Sequence, residues 1–164
     1  MDYKQSLQKA KDFGDIFHLV KEAVREYAGA DHAGILLGLC DLGLYENAYL
    51  GAFYSFDANT IVINKRPLNK LKRINPKLYN PYLFHLLLHE YIHSLGVLEE
   101  EEVRMLVYEM TKRYFGKNHA ATKIALDVGK FMPHLTFGEG FEPPEDLGIE
   151  FVSGIDRKNT DYIM

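Results

Sequence analysis

The chain has 164 residues, 47% of them hydrophobic, and a net charge of −4, which excludes a disordered or strongly polyionic protein and fits one domain with its own core. A single cysteine, Cys40, excludes an internal disulfide and fits a reducing compartment. No leader-like N-terminus and no run of roughly eighteen apolar residues is present, so a soluble, cytoplasmic protein with no membrane partner is expected.

In chain order, Ile16, Val20, Ala23, Val24 and Tyr27 follow helical spacing and predict a helix from Asp15 to Tyr27, stopped by Gly29, with a short helix before it. Ala33–Cys40 and the aromatic-rich Ala48–Phe56 suit strands. Asp57-Ala58-Asn59 reads as a hairpin turn into a further strand, Thr60–Asn64. Pro67, Pro76 and Pro81 then punctuate a basic connection expected to be irregular. From Ala58 to His89 there is no acidic residue, whereas Lys65, Arg66, Lys70, Lys72, Arg73 and Lys77 are basic. A helix is expected from Pro81 to Leu95, ended by Gly96, and a second from near Glu99 to Gly116, with Val103, Leu106, Val107, Met110 and Tyr114 on one face. A third spans His119–Phe131. Residues 139–164 carry seven acidic and two basic side chains, leaving the remainder near +1. The expected division is a domain over 1–134 and an acidic tail over 135–164, with a strand at Ile149–Ser153 and a place against the domain guided by opposite charge.

His89-Glu90-Tyr91-Ile92-His93 reads H-E-x-x-H. Two histidines four apart share one helix face at about 6 Å, so both imidazoles can reach one ion. Glu90 then lies over the metal's open position, where it can take a proton from water. Leu83, Leu86, Leu87, Leu88, Ile92 and Leu95 surround the motif, so the helix is expected to be buried and its polar groups to need partners.

A helix, a small sheet and then an H-E-x-x-H helix resembles the zincin metallopeptidases, over residues 15 to about 131. The close second helix is similar to the minimal soluble gluzincins of archaea. The resemblance implies an α+β fold: a small mixed sheet with an edge strand packed on an N-terminal helix, the active-site helix, and a following glutamate helix. It implies a zinc-dependent metallopeptidase acting on a peptide or protein, with ligands His89 and His93 and Glu90 as general base for a zinc-bound water. The edge strand that binds substrate in extended form would be Thr60–Asn64, through Ile61, Val62 and Ile63.

The third ligand has more than one candidate. Glu102 shares a face with Leu106 and Met110 and is the expected ligand. Glu99 is the alternative, because Gly96 and Glu99 match the spacing H-E-x-x-H-x-x-G-x-x-(ligand) of the metzincin branch. Glu109 is more distant, and Glu100 and Glu101 read as a solvated helix start. His85 is about 12 Å along the axis from His93 and is expected to pack beneath the site. Tyr108, Tyr114, His119 and His134 are candidates for an oxyanion stabiliser by residue type alone. Met132-Pro133 matches the metzincin methionine turn too loosely to use.

Two other classes compete. Ribosomal-RNA maturation metalloproteins use H-G-x-L-H-x-x-G-x-D-H, and the basic stretch could meet phosphates. This chain has Glu90 in place of their glycine and Glu99 in place of their third histidine, so nucleic acid is the weaker partner. The other is a non-catalytic metal-binding zincin-fold module.

Overall fold

A computed structural model describes residues 1–42, 49–131, 135–136 and 148–155. Among these residues seven α-helices surround a four-stranded mixed sheet in an α+β arrangement. In chain order they are α1 Tyr3–Lys9, α2 Phe13–Ala28, β1 Leu36–Cys40, β2 Tyr49–Leu50, β3 Ala52–Ser55, β4 Thr60–Asn64, α3 Lys65–Ile74, α4 Tyr79–Ser94, α5 Glu100–Phe115, α6 Ala120–Leu126, α7 Val128–Phe131, β5 Leu135–Thr136 and β6 Glu150–Phe151, with a 3-10 turn at Pro76–Leu78 before α4. No helix among them is long and apolar enough to cross a membrane.

The sheet order is β3-β4-β1-β6, with β1 and β4 parallel and both outer pairs antiparallel. β4 is therefore interior. Ile61 and Ile63 face the main core while Val62 joins Cys40, Leu50 and Phe53 in a second cluster on the opposite face. This corrects the expected edge strand. Ile61, Val62 and Ile63 are buried with strands on both sides, so no peptide can extend the sheet there. Among the described residues the outermost strand on the hairpin side is β3.

The basic connection is also more regular than expected. Asn64 caps α3, its Oδ1 accepting from Arg66 N at 3.1 Å. Pro67 falls in the first turn of α3, where its missing N–H costs no helical bond. The third predicted helix is broken in two at Asp127, whose φ of −150° is not helical.

α4 runs through the centre, with Tyr82, Leu83, Phe84, Leu86, Leu87, Leu88 and Tyr91 all buried. The ring of Phe17 on α2 meets Tyr91 edge-on at 5.5 Å, and Phe115 on α5 meets Phe84 at 4.9 Å. A helix apolar on all sides is held by neighbours on all sides, which fixes its rotation and hence the aim of its few polar residues. Of the expected tail, β6 pairs with β1, Val152 N–H donates to Leu37 O at 2.9 Å, and Ile155 is buried. At the crossing, a Cβ on Gly38 would stand 2.5 Å from Cγ2 of Ile149, so only glycine lets the segment lie so close.

Candidate metal centre

α4 ends one residue after the motif. Its cap is Leu95, and Gly96 follows at φ +103°, a conformation that L side chains rarely adopt. The reversal brings the Val97 carbonyl back over the last turn, where His93 Nδ1–H donates to it at 2.8 Å. It also starts α5 beside the motif. Glu100, the first residue of α5, projects inward between the two histidines.

Each oxygen of Glu100 meets one imidazole: Oε2 lies 3.0 Å from His89 Nε2 and Oε1 lies 2.6 Å from His93 Nε2. The ligand atoms of His89, His93 and Glu100 all lie within 4.8 Å of one another, the one such three-residue group among the described residues. The side chain of His89 is fully buried, Glu100 is 7% exposed and His93 12%. The carboxylate that meets the imidazoles is thus Glu100. Glu102 and Glu99, the expected and alternative ligands, are both exposed and stand outside the cluster, as is Glu109. The physical reason is the phase of α5. Its buried stripe is Glu100, Val103, Val107, Met110 and Thr111, so position 100 lies one turn before Val103 on the inward face, while Glu102 faces solvent.

The electrostatics follow from this packing. Burial alone would raise the Glu100 carboxyl, but hydrogen bonds and charge from His89 and His93 outweigh it and hold the group well below the usual carboxylate range. Burial would likewise lower His93. The Glu100 hydrogen bond and the charges of Glu90 and Glu100 prevail and raise it. Because Nδ1 already donates to a carbonyl, a proton on Nε2 makes this ring an imidazolium. His89 is held below its ordinary value, chiefly by burial and against the pull of Glu100. Burial pushes Glu90 up to about 8, against the opposing charge of His93 and a hydrogen bond from the Tyr54 N–H. Its Oε1 is buried without a hydrogen-bond partner.

These residues fit a divalent ion. Two imidazole nitrogens and a carboxylate oxygen are a zinc donor set, and ligands about 2.1 Å from a tetrahedral ion lie roughly 3.4 Å apart. The 2.6 and 3.0 Å contacts reach that spacing by a small outward movement. The His93–Val97 bond selects the tautomer whose Nε2 lone pair faces the cluster. An ion there also supplies the positive charge that a buried Glu90 oxygen without a partner calls for.

His85 packs beneath the site, its ring 6.3 Å from that of His89, and burial lowers it to about 3. The proposed oxyanion groups stand elsewhere. Tyr114 stacks on Tyr3 at 4.8 Å, Tyr108 lies beneath the Lys112 ammonium, and His119 caps α6. His134 and Met132 lie outside the described residues. Glu100 was within reach of sequence reasoning, since stepping back three from Val103 and seven from Val107 lands on it. Comparison with known proteins finds no matching family model, no matching curated protein and no matching solved structure.

Proposed function

We propose that the protein is a zinc-dependent metallopeptidase of zincin type, with His89, His93 and Glu100 as metal ligands and Glu90 as general base. The observation that carries this is the convergence of one carboxylate on both motif histidines from a separate helix. When bound, the ion acts as a Lewis acid that lowers the pKa of water and polarises a substrate carbonyl. Glu90 then has work suited to its place. Its Oε1 takes the proton of the attacking water and returns it to the leaving amine. A cation beside it favours the carboxylate form that a base needs, countering the rise caused by burial.

The substrate strand is reassigned from β4 to β3. Asn64 N–H donates to Gly51 O, so the alternation of an antiparallel pair turns the backbone groups of Ala52 and Tyr54 to the outer margin of the sheet. The Tyr54 N–H reaches Glu90 there, so a peptide lying along β3 passes beside the base. The RNA-maturation pattern needs a ligand at position 99, and Glu99 is exposed outside the cluster.

The test is metal analysis of purified protein with a peptide-cleavage assay on Glu90→Gln. The expected result is one zinc per chain in both proteins and a turnover loss of about 10²–10⁴-fold or more in the variant. Absence of zinc from both, or unchanged turnover in the variant, refutes the assignment.

A further inference from the structure

The basic residues of the 65–77 segment have no part in the metal centre, and the structure divides them into three pairs. Lys65 approaches Glu150 at 4.0 Å, and Arg66 is bound by both oxygens of Asp41. Lys72 and Lys77 instead line a cleft of about 800 Å³, together with Lys4 and Lys11 from the N-terminal region. Six segments converge there: α1, Lys11 shortly after it, α3, the 3-10 turn, the start of α4, and the start of α6 with its cap His119. No carboxylate lines the cleft, and among the described residues none pairs with these four lysines.

Four ammonium groups gathered from distant points of a chain whose net charge is −4 are not a by-product of a basic protein. With no carboxylate among the lining residues, the cleft presents a local excess of positive charge that favours an anion. Two polar side chains among the otherwise largely apolar walls bear on the same partner. His119 Nδ1 accepts the Ala121 N–H at 3.1 Å, so the ring's proton is on Nε2 and is available to donate. Asn80 is already fixed, its Nδ2 donating to Leu7 O and Ala10 O, which ties the end of α1 to the floor of the cleft. The size is that of a small-ligand site. Lys70 and Arg73, the remaining basic residues of α3, do not line it, so the charge is concentrated and does not form a stripe.

We infer that this cleft, formed by Lys4, Lys11, Lys72 and Lys77 around the first turn of α4, binds a compact polyphosphate anion. A triphosphate carries about four negative charges near neutral pH, matching the four ammonium groups. Lysine binds phosphate as a mobile point charge, without the bidentate geometry that selects a carboxylate. The site is separate from the metal centre. Pro81 on its floor precedes His89 by eight residues, about 12 Å along α4.

Calorimetric titration of the full chain with inorganic tripolyphosphate, and separately with ATP, tests this at about physiological ionic strength. One site per chain is expected, weakened at least about tenfold in Lys72→Glu/Lys77→Glu and by less than about threefold in Lys70→Glu/Arg73→Glu. Lys4→Glu/Lys11→Glu, on a different segment, gives the same loss as the first pair, and thermal melts show which variants are folded. Equal affinity for the two probes assigns recognition to the phosphates alone; tighter ATP adds a contact from the nucleoside at the same site. Absence of binding at millimolar probe overturns the inference. So does equal weakening by the cleft and control pairs, which marks diffuse attraction. Binding that survives loss of the cleft lysines overturns it too, since the anion then sits elsewhere, at the metal centre for example. A single-stranded RNA that binds more tightly than either probe and responds to both pairs reassigns the surface to nucleic acid.

Discussion

Glu100 has both oxygens engaged by imidazoles inside the fold, and its neighbours 99, 101 and 102 carry the same side chain in solvent. Four identical residues in a row thus differ only in where the helix turns them. This makes a controlled comparison possible. Glu100→Gln keeps shape and removes the charge that two imidazoles and an ion require. Zinc affinity is expected to fall by more than the roughly 10–100-fold typical of losing an outer-shell partner. Glu99→Gln and Glu102→Gln should each leave it within about threefold. Competition titration against a chromogenic chelator reads all three. Equal losses would show that the acidic run attracts the ion collectively, and that position 100 holds no special place.

Glu100 reaches its place because α4 and α5 are joined by a very short turn, and Gly96 is its pivot. Nothing lies within 4 Å of a Cβ placed there, so Gly96→Ala meets no steric obstacle and acts through its φ of +103° alone. The expected cost is about 1–3 kcal/mol, read as a lower urea midpoint with unchanged slope. Zinc affinity should fall as well, because the strain relaxes by moving Val97 and Glu100. A stability loss with intact zinc affinity would show that the turn and the site are uncoupled. The sequence showed much at this scale and missed the rest for identifiable reasons. The motif helix was legible from its apolar surround, and the β3–β4 hairpin from Asp57-Ala58-Asn59, where Asn59 takes φ +47°. The interior place of β4 was not legible, because it depends on a parallel pairing with β1 some two dozen residues away that no local pattern records. α3 is hidden from a local reading because proline ordinarily breaks a helix, whereas in the first turn it is harmless. Glu100 is hidden because Leu106 is apolar yet only half-buried at the margin of the inward stripe, and counting it inward rotates the apparent face of α5 toward Glu102.

The whole molecule carries several buried titratable groups, and together they set how its ion-free form responds to pH. His85 and His89 have lowered values, so below about 6.5 the unfolded chain binds protons that the native one refuses, and stability falls on acidification, for His85 down to about 3. Glu100 acts in the same direction: its lowered carboxyl stabilises above the unfolded value of 4.5, and that contribution is lost as pH falls. Glu90 and His93 act in the opposite direction. With Glu90 raised to about 8, the native state holds a proton that the unfolded chain has lost, so its contribution fades as pH rises from 4.5 to about 8. The raised His93 contributes below 6.5 and fades as pH passes its native value. Ion-free protein should therefore be most stable at mildly acidic pH and weaken on both sides. Zinc changes only the alkaline side, because it requires His93 Nε2 unprotonated and favours Glu90 as carboxylate. If both groups release a proton, affinity climbs by up to about 100-fold per pH unit while they titrate. At free zinc about 100 times its Kd the native state gains about 2.7 kcal/mol. The melting-temperature difference between zinc-loaded and ion-free protein is thus expected to widen from pH 6 to 8, and calorimetry in buffers of different ionisation enthalpy should count one to two protons released. A difference that stays constant across this range, with no proton release, would mean that the ion binds away from His93 and Glu90.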